Sequence, residues 1–217
     1  MTRVITLDGP AGAGKSTVAK ALASRLGYRY LDTGAMYRAI TWKALEQAIS
    51  LEDDAGLTAV AEGSRLELQA DPAEMRVVID GYDVTSAIRE PRISQAVSYV
   101  ARIPGVRRVM VDLQRQIGRG GSLVAEGRDM AMVVFPDAAL KIYLNASPRE
   151  RARRRAADLA EAGHPADVSA LEQEIARRDH LDSTRADSPL THSEAHTAVV
   201  TDDLTVDQVV DRIIDLL

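Results

Sequence analysis

Gly9-Pro10-Ala11-Gly12-Ala13-Gly14-Lys15-Ser16 has the G-x-x-x-x-G-K-S spacing of a loop that wraps phosphates. Its glycines let the backbone curl so that successive amides point at one anion. Thr17 leads into a helical stretch whose positive dipole end adds to that field. Lys15 can neutralise the outer phosphates and Ser16 can ligate Mg²⁺. The apolar run Val4-Ile5-Thr6-Leu7 precedes the loop, so the motif stands between a strand and a helix, the context it requires. Gly9 through Thr17 are therefore expected to hold a nucleoside triphosphate.

Three further groups of residues point to a second anion. In Leu31-Asp32-Thr33-Gly34-Ala35-Met36-Tyr37-Arg38, Thr33 can cap a helix whose free amides favour negative charge, and Arg38 carries a fork of donors suited to phosphate. An ordinary capped helix with a surface arginine would look the same. Arg128-Asp129 follows the apolar Leu123-Val124-Ala125; it is either a salt bridge, or an arginine meeting phosphate beside a carboxylate that accepts from the exocyclic amine of a base. Arg178, Asp182 and Arg185 fall at i, i+4 and i+7 on one helix face. They read as a stripe of surface ion pairs, or as two cations on phosphate with a carboxylate on a ribose hydroxyl. Asp32 and Glu126, both at strand ends, could hold Mg²⁺-bound waters, though Glu126 reads equally as a structural cap. His192 and His196 stand four apart, but their Pro- and Ser-containing loop offers no third zinc ligand.

These groups need a scaffold that gathers them. Strand-like runs at 3–7, 28–31, 122–125, 139–144 and 197–200 alternate with helical patterns near 15–26, 35–48, 104–118, 147–162, 169–187 and 205–217. The alternation predicts an α/β fold, a parallel sheet flanked by helices, with ligands collecting at the carboxyl ends of the strands. The segment from about 63 to 95 breaks the pattern. There Arg65–Gln69 and Met75–Ile79 read as short strands, with Asp80-Gly81 as a turn, and predict a small antiparallel insertion beside the second anion site. Ala162-Gly163-His164-Pro165 interrupts two helices and is expected to act as a hinge.

A length of 217 residues suits one core with a small mobile appendage. The net charge of −5 argues against a broad grip on nucleic acid. Against it stands the basic run Arg149–Arg155, which as a solvated helix face would be unremarkable, but beside a triphosphate loop suits a small, highly charged ligand. With no cysteine there is neither a disulfide nor a thiolate zinc site. No stretch is long and apolar enough for a membrane span and no export signal is recognisable, so a cytoplasmic protein is expected; a monomer is expected as well.

The phosphate loop through Thr17, Leu31–Arg38, Glu126-Gly127-Arg128-Asp129-Met130, Val133-Val134-Phe135-Pro136-Asp137-Ala138 and Arg178 through Arg185 together resemble the bacterial cytidylate kinases, from about residue 2 to 217. The resemblance implies a nucleoside monophosphate kinase of P-loop type that uses ATP and Mg²⁺ to phosphorylate CMP or dCMP. It implies an inserted monophosphate-binding unit at about 63–95 and a helical, arginine-rich lid at about 149–180. By position, Thr33, Tyr37, Arg38 and Arg128 would surround the acceptor phosphate; Ser98, Arg107 and Asp129 would read cytosine; Arg178, Asp182 and Arg185 would hold ribose and phosphate. Lys15 and Arg128, with Arg151 and Arg155 closing from the lid, would stabilise the transferring group. Thr33 stands where some relatives carry Ser and keeps the hydroxyl. Ala131 and Met132 depart from the Gly-Thr frequent in the family, a change that bears on the local turn.

Other functions would leave other marks. A regulatory GTPase needs an Asn/Thr-Lys-x-Asp run after a strand, and the chain has none; Asp53-Asp54-Ala55-Gly56 matches D-x-x-G away from any strand end. A kinase acting on another small acceptor, such as a different nucleotide or shikimate, would share the loop but has no need of the Arg128-Asp129 pair and the long insertion. A noncatalytic nucleotide-binding module would not need both Lys15 and Ser16.

Overall fold

The computed structural model describes residues 3–70, 75–161, 163 and 165–217. Five parallel strands form the central sheet: β1 (Val4–Asp8), β2 (Arg29–Asp32), β6 (Leu123–Gly127), β7 (Leu140–Asn145) and β8 (Thr197–Val200), in the order β2-β6-β1-β7-β8. β6 is buried along its whole length and β1 along all but its first residue, as expected of central parallel strands covered on both faces. Asp8 pairs with Gly127 and Asp32 with Glu126, so β1, β2 and β6 end level with one another. The strands run parallel throughout, but β2 and β6 lie on one side of β1 and β7 and β8 on the other, and the phosphate loop leaves from that switch point.

The loop opens directly into α1 (Lys15–Leu26), which starts from Gly14 in the left-handed conformation (φ 85°) and buries Val18, Ala19, Leu22 and Ala23. Gly9 sits so close to the backbone of β7 that a Cβ there would lie 2.0 Å from the Leu144 carbonyl oxygen. α2 (Thr33–Glu46) begins two residues before the expected start, and its cap is Asp32 rather than Thr33: the Asp32 carboxylate accepts from the Ala35 amide at 2.9 Å. Thr33 instead donates its hydroxyl to the Glu126 carbonyl at 2.7 Å, tying α2 to β6.

The insertion is flanked by helices that the sequence did not suggest. α3 (Asp54–Glu62) precedes an antiparallel sheet of β3 (Leu66–Ala70), β4 (Met75–Ile79) and β5 (Tyr82–Asp83), and α4 (Pro91–Ala101) follows it. Asp53 of the D-x-x-G run is the cap of α3, accepting from the Gly56 amide at 2.8 Å; a structural job disposes of the switch reading. α4 runs past residue 95 and leads to α5 (Pro104–Gly118), each opening on a proline at its first turn.

After β6 the chain makes a π-helical turn, Met130–Val134. The buried Asp8 carboxylate fixes it, accepting from the Met130 and Ala131 amides at 2.8 and 2.9 Å. Ala131 is fully buried, while Met132 is 45% exposed, with its sulfur accepting from the Ser193 hydroxyl. The turn thus forms with Ala131 and Met132 in place. α6 (Pro148–Glu161) and α7 (Val168–Thr184) make a helical hairpin over the strand ends, and α8 (Val206–Ile214) packs on α1. Two of the expected hinge residues, Ala162 and His164, lie outside the described residues; Gly163 has φ 80°.

Candidate active site

The carboxyl ends of β1, β2 and β6 open into a cleft of about 430 Å³, roofed by α6 and α7 and walled by α2, α4 and α5. From the phosphate loop, Ala11, Gly12, Gly14, Lys15, Ser16 and Thr17 line it. Gly9, Pro10 and Ala13 lie behind: Gly9 against Leu144, Pro10 with its carbonyl accepting from Lys15 Nζ at 2.7 Å, and Ala13 in the core. Thr33, Tyr37, Arg38 and Arg128 enter from the floor, and Ser98, Arg107 and Asp129 from the far end. Arg178, Asp182 and Arg185 reach in from the roof. Arg185 caps α7 instead of continuing it, yet its side chain stays on the same face.

At the far end the polar groups are interlocked. Arg107 donates to the Asp129 carboxylate and, at 3.3 Å, to the Tyr37 hydroxyl; Arg185 stands 3.5 Å from the same carboxylate. Burial pushes the Asp129 carboxyl upward against the pull of Arg107 and Arg185. Asp182 accepts from Arg128 Nε at 2.8 Å and from the Ser98 hydroxyl at 3.3 Å. Burial opposes its charge, but Arg128 and Arg178 hold the carboxyl below its ordinary value.

Closer to the loop, cations outnumber anions. Burial, then Arg128 and Arg178, lower the Lys15 ammonium to about 7, with Glu126 and Asp182 only partly opposing. Arg178 is lowered to about 9 by burial, Arg128 and Arg38, and burial lowers Arg38 as well. Nε of Arg38, Nε of Arg178 and Nη2 of Arg185 are buried without a hydrogen-bond partner among the described residues. Lys15, Arg38, Arg128, Arg155 and Arg178 all line this part of the cleft, a concentration of positive charge where a polyanion would be welcome.

Asp32 and Glu126 face each other across β2 and β6. Burial, then the Asp32 charge, raises the Glu126 carboxyl, which accepts from the Tyr30 hydroxyl and contacts the Ser16 side chain. Asp32 is instead held low: Arg89, at 3.1 Å, and Arg38 outweigh its burial. A hydroxyl with two neighbouring carboxylates is an oxygen donor set that suits Mg²⁺ bound through water. No cluster of three His, Cys, Asp or Glu capable of holding a metal directly occurs among the described residues. His196 has a structural setting, with Nε2 3.3 Å from Asp8 and Nδ1 3.2 Å from the Ser193 amide.

The basic run divides. Arg155 lines the cleft, as does Arg154, which also donates to the Thr201 hydroxyl and carbonyl at 2.9 and 2.8 Å. Arg153 is exposed and pairs with Glu150. Arg151, expected over the phosphates, does not line the cleft: it is buried beneath the loop, donating to the Ala11 and Ala146 carbonyls at 3.0 and 3.2 Å and to Asp179. Arg89 and Ser94 line the cleft without having been singled out in the sequence, and Arg154 was marked there only as part of the basic run. Arg89 lies in the insertion with no motif around it; the regular i, i+4 spacing of Ser94 and Ser98 on α4 was the available signal.

Comparison with known proteins agrees with this geometry. A bifunctional pantoate ligase/cytidylate kinase of Synechococcus elongatus is 50% identical over 98% of this chain, which spans 41% of that protein. A cytidylate kinase of Pelotomaculum thermopropionicum is 47% identical, covering 97% of this chain and 93% of its own. The shikimate kinase structure from Bacteroides thetaiotaomicron superposes with a TM-score of 0.53 at 16% identity, over 100% of this chain and 98% of that one, a likeness of fold alone. The model of the cytidylate kinase family matches residues 5–217, and with the sheet order, the loop and the cation-lined cleft already in hand, the chain belongs to that family.

Proposed function

We propose that this chain transfers the γ-phosphoryl group of ATP to CMP or dCMP, giving ADP and CDP or dCDP. The observation that carries the reading is the crowd of cations, Lys15, Arg38, Arg128 and Arg178, that lines the cleft between the phosphate loop and the Arg107–Asp129 pair. Two polyanions must meet there, and unit charges about 4 Å apart at an effective dielectric near 20 interact by ~4 kcal/mol. Lys15, Arg38 and Arg128 supply the opposing charge from the floor in a fixed arrangement that need not reorganise during the reaction, and Arg178 adds to it from the roof.

The acceptor is a phosphate ionised near neutral pH, so no general base has to remove its proton. One of its oxygens attacks the γ-phosphorus in line, the bond to the β-phosphate bridging oxygen breaks, and ADP leaves with that electron pair. Amides of Gly12 and of Gly14 through Thr17 cradle the donor phosphates; Thr33, Tyr37, Arg38 and Arg128 orient the acceptor phosphate. Ser98, Arg107 and Asp129 read the base, and Arg178, Asp182 and Arg185 hold ribose and phosphate. Mg²⁺, held by Ser16 and through water by Asp32 and Glu126, would supply charge neutralisation on the triphosphate. Arg155, with Arg154, closes the roof and keeps water from the transferring group.

Cytosine offers an amine where uracil offers a carbonyl. The Asp129 carboxylate accepts from the first and faces the second unfavourably, a mismatch that leaves buried groups unpaired. We place the enzyme in the cytoplasm as a monomer acting on free nucleotides, with no nucleic acid or membrane partner. No described helix is long and apolar enough to cross a membrane. The test is an ADP-release assay with CMP, dCMP, UMP, AMP, GMP and shikimate as acceptors. Turnover of CMP and dCMP at least ~100-fold above the rest is expected; equal rates across the panel, or ADP release independent of acceptor, would contradict the proposal.

A further inference from the structure

One residue of the phosphate loop is gripped at both its polar groups by the roof. The Ala11 amide donates to Asp179 Oδ1 at 3.2 Å, and the Ala11 carbonyl accepts from Arg151 Nη1 at 3.0 Å. The same Nη1 donates to Asp179 Oδ2, closing a ring of three residues from the loop, α6 and α7. Arg151 Nε is anchored on the Ala146 carbonyl at the end of β7, and the Arg151 backbone lies so close to Gly12 that a Cβ there would approach to 3.0 Å. Asp179 stands next to Arg178 and three residues before Asp182 on α7, yet its carboxylate points to the donor loop while the Arg178 and Asp182 side chains line the cleft. One rigid helix thus touches both substrate regions, with separate side chains.

We propose that Asp179 and Arg151 form a latch that couples the two substrate sites. Acceptor bound by Arg178, Asp182 and Arg185 fixes the position of α7; Asp179 and Arg151 transmit that position to Ala11, setting the curl of the loop that receives the triphosphate. Both are positioning residues and touch neither substrate. The coupling is reciprocal, so triphosphate tightens acceptor binding by the same factor as acceptor tightens triphosphate binding. The inference rests on the reading of the cleft as an ATP and CMP site.

The test is calorimetric titration of a nonhydrolysable ATP analogue into the whole chain, with and without saturating CMP, for the wild type, Asp179→Ala, Asp179→Asn and Arg151→Met. In the wild type, CMP is expected to tighten the analogue at least ~5-fold, within the usual span of coupling between sites. In Asp179→Ala that factor falls to about one, while CMP alone still binds within ~3-fold of the wild type, a separation that general destabilisation would not produce. Asp179→Asn keeps an acceptor for the Ala11 amide but loses the ion pair, and retains an intermediate factor; it also answers the question should the alanine variant fail to fold. Combining Asp179→Ala with Arg151→Met gives no further loss. Coupling undiminished in the Asp179 variants, or no coupling in a wild type that binds both ligands, overturns the latch and leaves the assigned reaction standing. A wild type that does not bind CMP overturns the reaction and the latch with it.

Discussion

The floor and the roof of the cleft are built on different foundations. Lys15, Arg38 and Arg128 rise from α1, α2 and the end of β6, elements whose inward faces (Leu22, Met36, Ile40 and Val124 among them) belong to one large apolar cluster. The roof rests on Ala152, Leu171 and Ile175, with Ala156 and Leu159 beside them. Burial of large side chains sets how firmly an element is held, and three small or medium ones hold weakly. Floor residues therefore keep their geometry with or without ligand, whereas the roof depends on charge. Its polar ties to the floor are the Arg128–Asp182 ion pair and the hydrogen bonds that Asp179 and Arg151 make with Ala11 of the phosphate loop. A cleft organised in this way can release product by breaking polar contacts while its catalytic floor stays assembled.

Removing charge from the floor should have the largest consequence. Lys15→Ala is expected to lower kcat by ~1000-fold or more, about 4 kcal/mol of transition-state stabilisation. CMP binding measured without ATP should change little. A comparable loss of CMP affinity would mean that Lys15 serves both sites and that the division into donor and acceptor ends is wrong.

Next comes the acceptor end. Asp129→Ala should reduce the ratio of CMP to UMP turnover by ~100-fold while the KM for ATP stays within about threefold. A ratio that survives while both rates fall would show that Asp129 only anchors Arg107 and Arg185.

Packing substitutions contrast the two foundations directly. Leu22→Ala, in the floor, should cost ~3 kcal/mol of stability by leaving a cavity. Leu171→Ala, in the roof, should leave the global melting transition nearly unchanged and show instead as faster amide exchange in α6 and α7. Equal loss of melting temperature in the two variants would make the roof part of the main cooperative unit.

The smallest effect is in pH. Lys15 sits near 7 in the free protein, so its charge is present below that pH and lost above it. Because kcat/KM reports the free enzyme, its value for ATP should decline as pH rises through about 7, by no more than tenfold per pH unit. The sign for stability is opposite. The folded value lies below the ordinary 10.5, so the unfolded chain binds more protons between the two, and the ligand-free fold gains stability as pH rises across that window. A kcat/KM that is flat from pH 6 to 8 would show that Lys15 keeps its proton throughout.

Much of the floor was legible because local and global signals coincide there. The strand–loop–helix arrangement at Val4 to Leu26 and the apolar runs of β6 and β7 each carry their meaning within a short stretch of chain. The roof misled at Arg151, since an arginine-rich run does not say which guanidinium faces the ligand. That depends on Ala11, Ala146 and Asp179, distant in sequence. α3 was hidden by Gly56 and by a motif-like Asp-Asp pair, although Leu57, Val60 and Ala61 already had helical spacing. α4 was obscured by its serines and β-branched residues, which weaken the helical signal until tertiary burial decides. Arg89 was invisible for a related reason: only the folded insertion brings it to Asp32.

The central claim is that donor and acceptor phosphates meet in one cleft on a single set of cations. The most direct measurement is competition by an adenosine and a cytidine joined 5′ to 5′ through five phosphates. Our account predicts that one molecule binds per chain, that it displaces the ATP analogue and CMP together, and that Arg128→Ala weakens it more than either nucleotide alone. Displacement of one nucleotide with the other still bound, or binding of two molecules per chain, would contradict it.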